Sequence, residues 1–449
     1  MKTLSRLLIA FLLLTGCTSG TSGVSSTTSA STSVSGTFSG QATGRNGAVV
    51  VDVTLEEGKI TNAVVTESKE TENIGTVAQE KVLQKVIDNQ SYAVDVCSGA
   101  TLTSSAVKNA VKDALTNAGV DTENYNIKEV HAENESYEYS ADVVIVGGGG
   151  AGLAAATAAV QSGAKSVIVV EKTDVLGGDT NVNGGIYNTP DEDLQSALEM
   201  TDGNRSLVEK ALSEKPVSEA HAALQEKVQE DYDAYLANGG TGTFDSANWF
   251  ALQTWNGGDK VASLDLVISM ANNAYDGLLW LEDMGATFKD SISQGPGSLY
   301  PRTHDTNSGL GAEFINTYVS YLSNNYSDNW NVYYGVAADE IVVNDKGEAS
   351  AVKGSDKYGN TYTFTANNGI VIATGGFAGN VEMRVKYAQG EKWPDLGSNV
   401  GCTGVESDTG DGILMAEAIG ANLVDMDQIQ LLHMCSPTKG TTDDNSAKD

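Results

Sequence analysis

The sequence predicts an α/β protein in two parts, an α+β domain followed by a larger domain built on parallel βαβ units. Two observations carry this. Residues 49–115 run as a Val-rich hairpin and then two segments with apolar residues at helical spacing. Residues 143–171 run as an apolar strand, a glycine loop, an Ala-rich helix and a second apolar strand ending on an acid. At 449 residues, 40% of them hydrophobic, the chain is long enough for two or three domains with separate cores.

Acidic side chains outnumber basic ones, 59 to 27, for a net charge of −32. That balance argues against a nucleic-acid partner, which needs a basic footprint, and against docking on anionic lipid by charge alone. Solubility accounts for it.

The N-terminus reads as a targeting segment. Lys2 and Arg6 precede an apolar run, Leu7 to Leu14, too short to span a bilayer and shaped like a signal peptide. It ends Leu14-Thr15-Gly16-Cys17, which resembles a bacterial lipobox, so residues 1–17 are expected to be processed and Cys17 lipidated. Residues 18–36 are a Ser/Thr-rich tether that cannot bury a core. The expectation is a lipid-anchored protein on the extracytoplasmic face of the cell membrane.

The first domain is placed at residues 37–119. Val49–Leu55 alternates, and Lys59–Thr66 follows after Glu57-Gly58, which reads as a hairpin. Thr76–Ile87 carries Val77, Val82, Val86 and Ile87 at helical spacing; Ser105–Leu115 does so with Val107, Ala110, Val111 and Leu115. Ser98 to Ser104 is then expected in the loop before a helix N-terminus, where backbone N–H groups and the dipole favour an anion. Gly99 and Ala100 would let the backbone approach a phosphate, and Thr101 supplies a hydroxyl. A plain helix start capped by Thr103 or Ser104 is the competing reading.

The run Asp95-Val96-Cys97-Ser98-Gly99-Ala100-Thr101 resembles the D-x-x-(S/T)-G-A-T motif of FMN-binding domains, a family that includes subunits of sodium-pumping and Rnf-type complexes. The resemblance implies covalent FMN, its phosphate esterified to Thr101 by an FMN transferase that reads Asp95.

After a linker at 120–139, a second domain is placed at 140–429. Val143–Val146, Ala151–Gln161 and Val167–Val170 form a complete βαβ unit. Gly147 allows the tight turn, Gly149 admits a pyrophosphate, and Gly152 lets helix and strand pack closely; Glu171 is placed to take ribose hydroxyls. Gly177-Gly178-Asp179-Thr180-Asn181-Val182-Asn183-Gly184-Gly185 resembles the G-G-(N/D)-(S/T)-x-x-x-x-G loop of the fumarate reductase/succinate dehydrogenase flavoprotein family. Ile372-Ala373-Thr374-Gly375-Gly376-Phe377 and Thr409-Gly410-Asp411-Gly412 are further marks of it.

This resemblance implies a Rossmann-like FAD-binding domain. Family members with covalent FAD carry a His in the glycine loop, and none is present here, so FAD is expected to bind noncovalently. Its expected contacts in the first unit are Gly147, Gly149, Gly150, Ala151, Gly152, Glu171 and Lys172. In the loop they are Gly178, Asp179, Thr180, Gly184 and Gly185; later come Ala338 near the adenine, Thr374, Gly375 and Asp411. Asn331 to Val343 and Glu348 to Lys353 are read as strands of the small FAD-domain sheet.

Cys97, Cys402 and Cys435 remain beside Cys17, with no C-x-x-C spacing. The pattern provides no disulfide framework, zinc site, iron–sulfur cluster or C-x-x-C-H haem motif, so electron transfer falls to the flavins. The helical stretch from Gly185 to about Gly240 is assigned no chemistry, and Trp255 is read as core. Arg302-Thr303-His304 matches a family R-x-H-like segment; a contact to substrate carboxylate or flavin and a buried salt bridge both fit it. Gln428 to Met434 aligns with a family Q-x-H-P-T segment, Leu432 falling on the His position and His433 on the Pro; a variant substrate pocket and an alignment offset by one residue both fit, and both residues are substrate-pocket candidates. Residues 430–449 are read as the start of a truncated clamp domain, whose Arg proton donor is expected beyond Asp449.

The resemblance implies a reductase of an enoate C=C bond, like fumarate and urocanate reductases. Electrons would pass from FMN to FAD to a substrate serving as terminal respiratory acceptor, supplied by a membrane quinol oxidase-type partner or an extracellular flavin. An FMN electron-transfer lipoprotein with an incomplete, inactive FAD domain is the alternative. A ketosteroid dehydrogenase or aspartate oxidase is disfavoured by the FMN domain.

Overall fold

The computed structural model describes residues 34–295, 298–388 and 396–431. Cys17, Leu432, His433 and Cys435 lie outside the described residues, so the readings placed on them have no structural counterpart. Among the described residues no helix is long and apolar enough to cross a membrane.

Strands β1 (Gly36–Thr43), β2 (Ala48–Glu56) and β3 (Lys59–Glu67) form an antiparallel sheet in that order. Glu57 (φ 49°) and Gly58 (φ 76°) close the β2–β3 hairpin, both in the left-handed conformation that a two-residue turn requires. Val49, Val51, Val53 and Leu55 alternate inward and are buried beneath α1 (Gly75–Asn89) and α2 (Thr101–Asn117). In β1 Phe38, Gly40 and Ala42 alternate with polar residues, and Phe38 and Ala42 pack against the same core. A Cβ on Gly40 would lie 2.2 Å from the Ala110 carbonyl oxygen, so α2 rests directly on the strand's backbone.

The segment expected as a linker is ordered at both ends. A 3₁₀ turn at Thr122–Tyr125 buries Tyr125 in the first core, its hydroxyl donating to the Gly58 carbonyl at 2.6 Å. At the far end β4 (Ser136–Val146) is already under way, earlier than the apolar run alone predicts.

From β4 the chain continues through α3 (Gly150–Gln161) and β5 (Val167–Glu171), the predicted βαβ unit. A helical layer and a small sheet follow: β6 (Ile186–Asn188), α4 (Glu192–Gln195), α5 (Asp202–Ser213), α6 (Glu219–Ala237), α7 (Ala247–Gly257), α8 (Leu264–Asp283), β7 (Phe288–Ser293) and β8 (Thr303–Thr306). Trp249, Trp255 and Tyr300 are buried at the centre of this layer, which accords with Trp255 as core. The chain then returns through α9 (Ala312–Asn325), β9 (Trp330–Tyr334), β10 (Ala337–Val343), β11 (Ala349–Ser355), β12 (Thr361–Ile372), α10 (Val381–Tyr387) and α11 (Asp411–Ala418).

One six-stranded sheet, in the order β10-β11-β12-β4-β5-β9, organises the second domain. β12, β4, β5 and β9 are parallel, whereas β10 and β11 are antiparallel additions. The reading of residues 331–343 as one strand is corrected here. Gly335 (φ 69°) breaks it, sending β9 and β10 to opposite edges of the same sheet rather than into a separate small one.

Candidate functional site

The helix carrying Thr101 starts earlier than predicted. Ala100 is the N-cap of α2 and supplies no side-chain acceptor, so Thr101 is the first helical residue rather than part of a preceding loop. Thr103 and Ser104 do not cap it. Thr103 Oγ1 donates to the buried Glu70 carboxylate, and Ser104 Oγ donates back to the Ala100 carbonyl at 2.8 Å while accepting from the Cys97 N–H at 3.1 Å. These bonds fold the Ser/Thr run into the helix, which is why a cap-based reading misses the start. Thr101 is left exposed on an uncapped helix N-terminus, a setting that fits a phosphate ester.

Gly99 also lies at the junction with the second domain. It sits at φ 85°, and a Cβ there would lie 3.2 Å from the Thr173 side chain and 3.3 Å from that of Val175. The glycine therefore lets the motif approach the second domain. Ser98 and Asp174 exchange two hydrogen bonds, Ser98 N–H to Asp174 Oδ2 at 2.6 Å and Asp174 N–H to Ser98 O at 3.0 Å. Lys81 donates to the Asp174 carbonyl at 2.5 Å and lies 3.8 Å from the Tyr334 ring centroid. At the front of the motif, Asp95 lies 2.7 Å from Lys357 Nζ and accepts from Tyr358, whose ring stacks on His131 at 4.0 Å. Asp95, Glu129 and His131 bring ligand-type atoms within 4.8 Å of one another. Lys357 at Asp95 and Lys85, 3.7 Å from Glu129, already supply positive charge there.

In the second domain the glycines divide by function. A Cβ on Gly147 (φ 102°) would lie 2.4 Å from Ala373 O, and one on Gly152 only 1.9 Å from Gly147 O, so both serve close backbone packing. Gly149 would meet only Gly177 O at 3.7 Å, Gly178 only Gly149 Cα at 3.9 Å, and Gly184 nothing within 4 Å. Gly149 is also the N-cap of α3, without a side-chain acceptor. Open backbone at a helix N-terminus is what a pyrophosphate needs, so the cradle fits FAD.

Around it, Glu171 is buried with both oxygens engaged: Oε2 accepts from Gly148 N–H at 2.8 Å, Oε1 from the Thr173 N–H and hydroxyl, each at 2.8 Å. A carboxylate has about four lone-pair sites, so ribose hydroxyls would share it with this brace. Lys172 donates to Thr409 Oγ1 and Asp411 Oδ2, both at 2.7 Å, tying the βαβ unit to the Thr409–Gly412 mark. Thr374 accepts from Gly412 N–H at 3.2 Å, and Asp179 accepts from Val405 N–H at 2.6 Å. Thr180 packs on Gly150, Ala151 is exposed in the first turn of α3, and Gly185 O accepts from Thr306 N–H at 2.9 Å. Ala338 is half-buried on β10, just after Val336, whose N–H donates to Glu171 O at 3.1 Å. Gly375 (φ 75°) abuts Asp408, an acid not singled out from sequence, whose carboxyl is pushed up by burial and by Asp179.

Arg302 and His304 sit in the interior. Arg302 forms a two-point ion pair with Asp245, Nε and Nη2 each at 2.9 Å, and donates through Nη1 to Gln253 at 2.7 Å. Both members of the pair are almost fully buried, which favours the salt-bridge reading over a substrate contact. His304 Nε2 lies 3.3 Å from Asp191 Oδ2. Asn73, Asp174, Lys357 and Tyr358 were not anticipated, since each acts across the domain junction and none belongs to a local motif.

Residues 142–441 match the FAD binding domain family, and residues 44–116 match the FMN-binding domain. The chain is 32% identical over 421 residues to the NADH:acrylate oxidoreductase of Vibrio harveyi, covering 90% of this chain and 41% of that protein. It is 30% identical over 438 residues to the urocanate reductase of Eggerthella lenta, covering 96% of this chain and 63% of that protein. The chain thus spans less than two-thirds of the length of either relative. A solved flavocytochrome c3 fumarate reductase in its open conformation is similar at 24% identity and a TM-score of 0.49, over 69% of this chain and 48% of that one. The chain belongs to the FAD binding domain family and carries an FMN-binding domain ahead of its FAD-binding domain.

Proposed function

We propose that the protein is a flavin-dependent reductase of an enoate C=C bond, with electrons entering at FMN on Thr101 and reaching the substrate by way of FAD. The observation that carries this is the paired hydrogen bonding of Ser98 with Asp174, which seats the FMN motif against the loop leaving Glu171. When bound, the two flavins supply two-electron chemistry; two electrons and two protons saturate the double bond. The similar reductases of acrylate and urocanate support the substrate class.

The residues of this chain hold and orient. Thr101 offers an exposed hydroxyl to a phosphate, and Glu70 and Ser104 keep its helix in place from behind. Gly149, Gly178 and Gly184 leave room for a pyrophosphate, while Glu171 braces the first turn. An acid opposite the flavin and a carboxylate clamp are still required for the chemistry. The lipobox-like Leu14–Cys17 supports a lipid-anchored, extracytoplasmic location, where an FMN transferase and a quinol-linked or flavin electron donor would act.

The test is to reduce the full-length protein and follow flavin reoxidation with fumarate, urocanate, acrylates and cinnamates. Rapid reoxidation by one of them is the expected result. No reoxidation by any member of the panel removes the proposal.

A further inference from the structure

The turn between β3 and α1 reaches both the helix that carries Thr101 and the glycine loop of the second domain. At one end Glu70, buried, accepts from Thr103 Oγ1 in the first turn of α2 and from the Asn46 N–H at 2.9 Å. Thr103 lies in the same helical turn as Thr101. The turn is closed by Gly75 N–H donating to Thr71 O at 2.7 Å, and a Cβ at Gly75 would lie 2.6 Å from the Glu70 Cβ. At the other end stands Asn73, in the left-handed region at φ 58°, its N–H donating to Thr76 Oγ1 at 2.9 Å.

The Asn73 side chain crosses into the second domain. Nδ2 donates to the Ala312 carbonyl at 3.0 Å and lies 3.5 Å from Asn181 Oδ1. Asn181 belongs to the glycine loop, and Ala312 lies beside it at the start of α9. Asn181 is buried within the glycine loop and donates to Leu176 O at 2.7 Å. Ala312 opens α9 directly after Gly311, whose N–H donates to Asn183 O at 3.1 Å and whose Cβ, if present, would lie 2.1 Å from Thr180 O. The amide therefore bonds where the loop and α9 are already in backbone contact, a place with little freedom to shift.

We propose that Asn73 is a positioning residue for electron passage between the two flavins, registering the turn that holds α2 against the loop that cradles FAD. The inference rests on the relay reading above. Two electrons leave FMN and two arrive on FAD, with protons exchanged with solvent. Asn73 carries none of them and acts only on where the domains sit.

Two variants of the full-length protein test this. Asn73→Gly keeps the left-handed backbone and removes the amide. Asn73→Asp replaces the donor with an acceptor facing two oxygens. In flavin-free protein, hydrogen exchange of residues 178–185 is expected to rise about tenfold in both, the order of effect of one lost hydrogen bond. With both flavins loaded, FMN-to-FAD transfer is expected to slow about tenfold or more. Direct reduction of FAD by reduced methyl viologen should stay at the parent rate, which general damage to the fold would not allow. Parent-like exchange in Asn73→Asp overturns the inference whatever the flavins do, and so does faster exchange with parent-like transfer. A parent protein that passes no electrons from FMN to FAD fails the relay itself, and the role of Asn73 falls with it.

Discussion

Asp95, the first residue of the FMN motif, lies 2.7 Å from Lys357 in the turn between β11 and β12, so the two domains are joined by an ion pair at the motif itself. Partial burial opposes ionisation of Asp95, but hydrogen bonds from Lys357 and Tyr358 outweigh it and hold the carboxyl at about 2. Tyr358 is pushed up to about 12 by burial and by its bond to Asp95.

The sign of the pH effect follows from this. A depressed carboxyl contributes fully above its unfolded value of 3.8 and loses that contribution as pH falls through about 2. The clasp is therefore intact at neutral pH as far as Asp95 is concerned, and weakens only in acid. Both side chains are a third or more exposed, so the pair contributes at most about 1 kcal/mol. Lys357→Met should move the Asp95 titration up toward 3.8, read by NMR of the carboxyl carbon. An unmoved titration would remove Lys357 as the cause.

Thr101→Ala should abolish covalent flavin, seen as loss of in-gel fluorescence, while FAD content is retained. Thr103→Val should keep the Thr101 hydroxyl but leave the buried Glu70 short of a donor, lowering stability by about 1–3 kcal/mol in a denaturant titration. Covalent flavin that survives Thr101→Ala would place the attachment elsewhere.

The glycine loop yields a contrast between two alanines. Gly149→Ala meets only Gly177 O at 3.7 Å, so its melting temperature should match the parent while FAD retention falls sharply. Gly152→Ala collides with Gly147 O at 1.9 Å and should destabilise the protein by about 1–3 kcal/mol or more. Full FAD retention in Gly149→Ala would mean that the pyrophosphate lies elsewhere.

Arg302→Met should cost about 3–5 kcal/mol, because it strands Asp245 in the interior. Asp245, whose pKa is already raised by burial, makes the pair the unit to replace. The double variant Arg302→Met/Asp245→Leu should recover most of the loss in a chemical denaturation series. If the single variant unfolds like the parent yet raises KM, Arg302 contacts substrate after all.

What the chain carried in its own letters were the features written locally. The alternating Val49–Leu55 strand, the βαβ unit around Gly147–Gly152 and the two flavin motifs each depend on neighbours within about thirty residues, and spacing alone exposes them. Tertiary structure decided the rest. The start of α2 turned on Thr103 finding Glu70, the break at Gly335 on two sheet edges, and the close approach of Gly99 to the second domain on its contact with Thr173. The seating of one flavin domain on the other rests on Asn73, Ser98–Asp174 and Asp95–Lys357. Each is a polar contact between residues far apart in sequence, with no periodicity to announce it. Such pairs acquire meaning only when folding brings the groups within hydrogen-bonding distance.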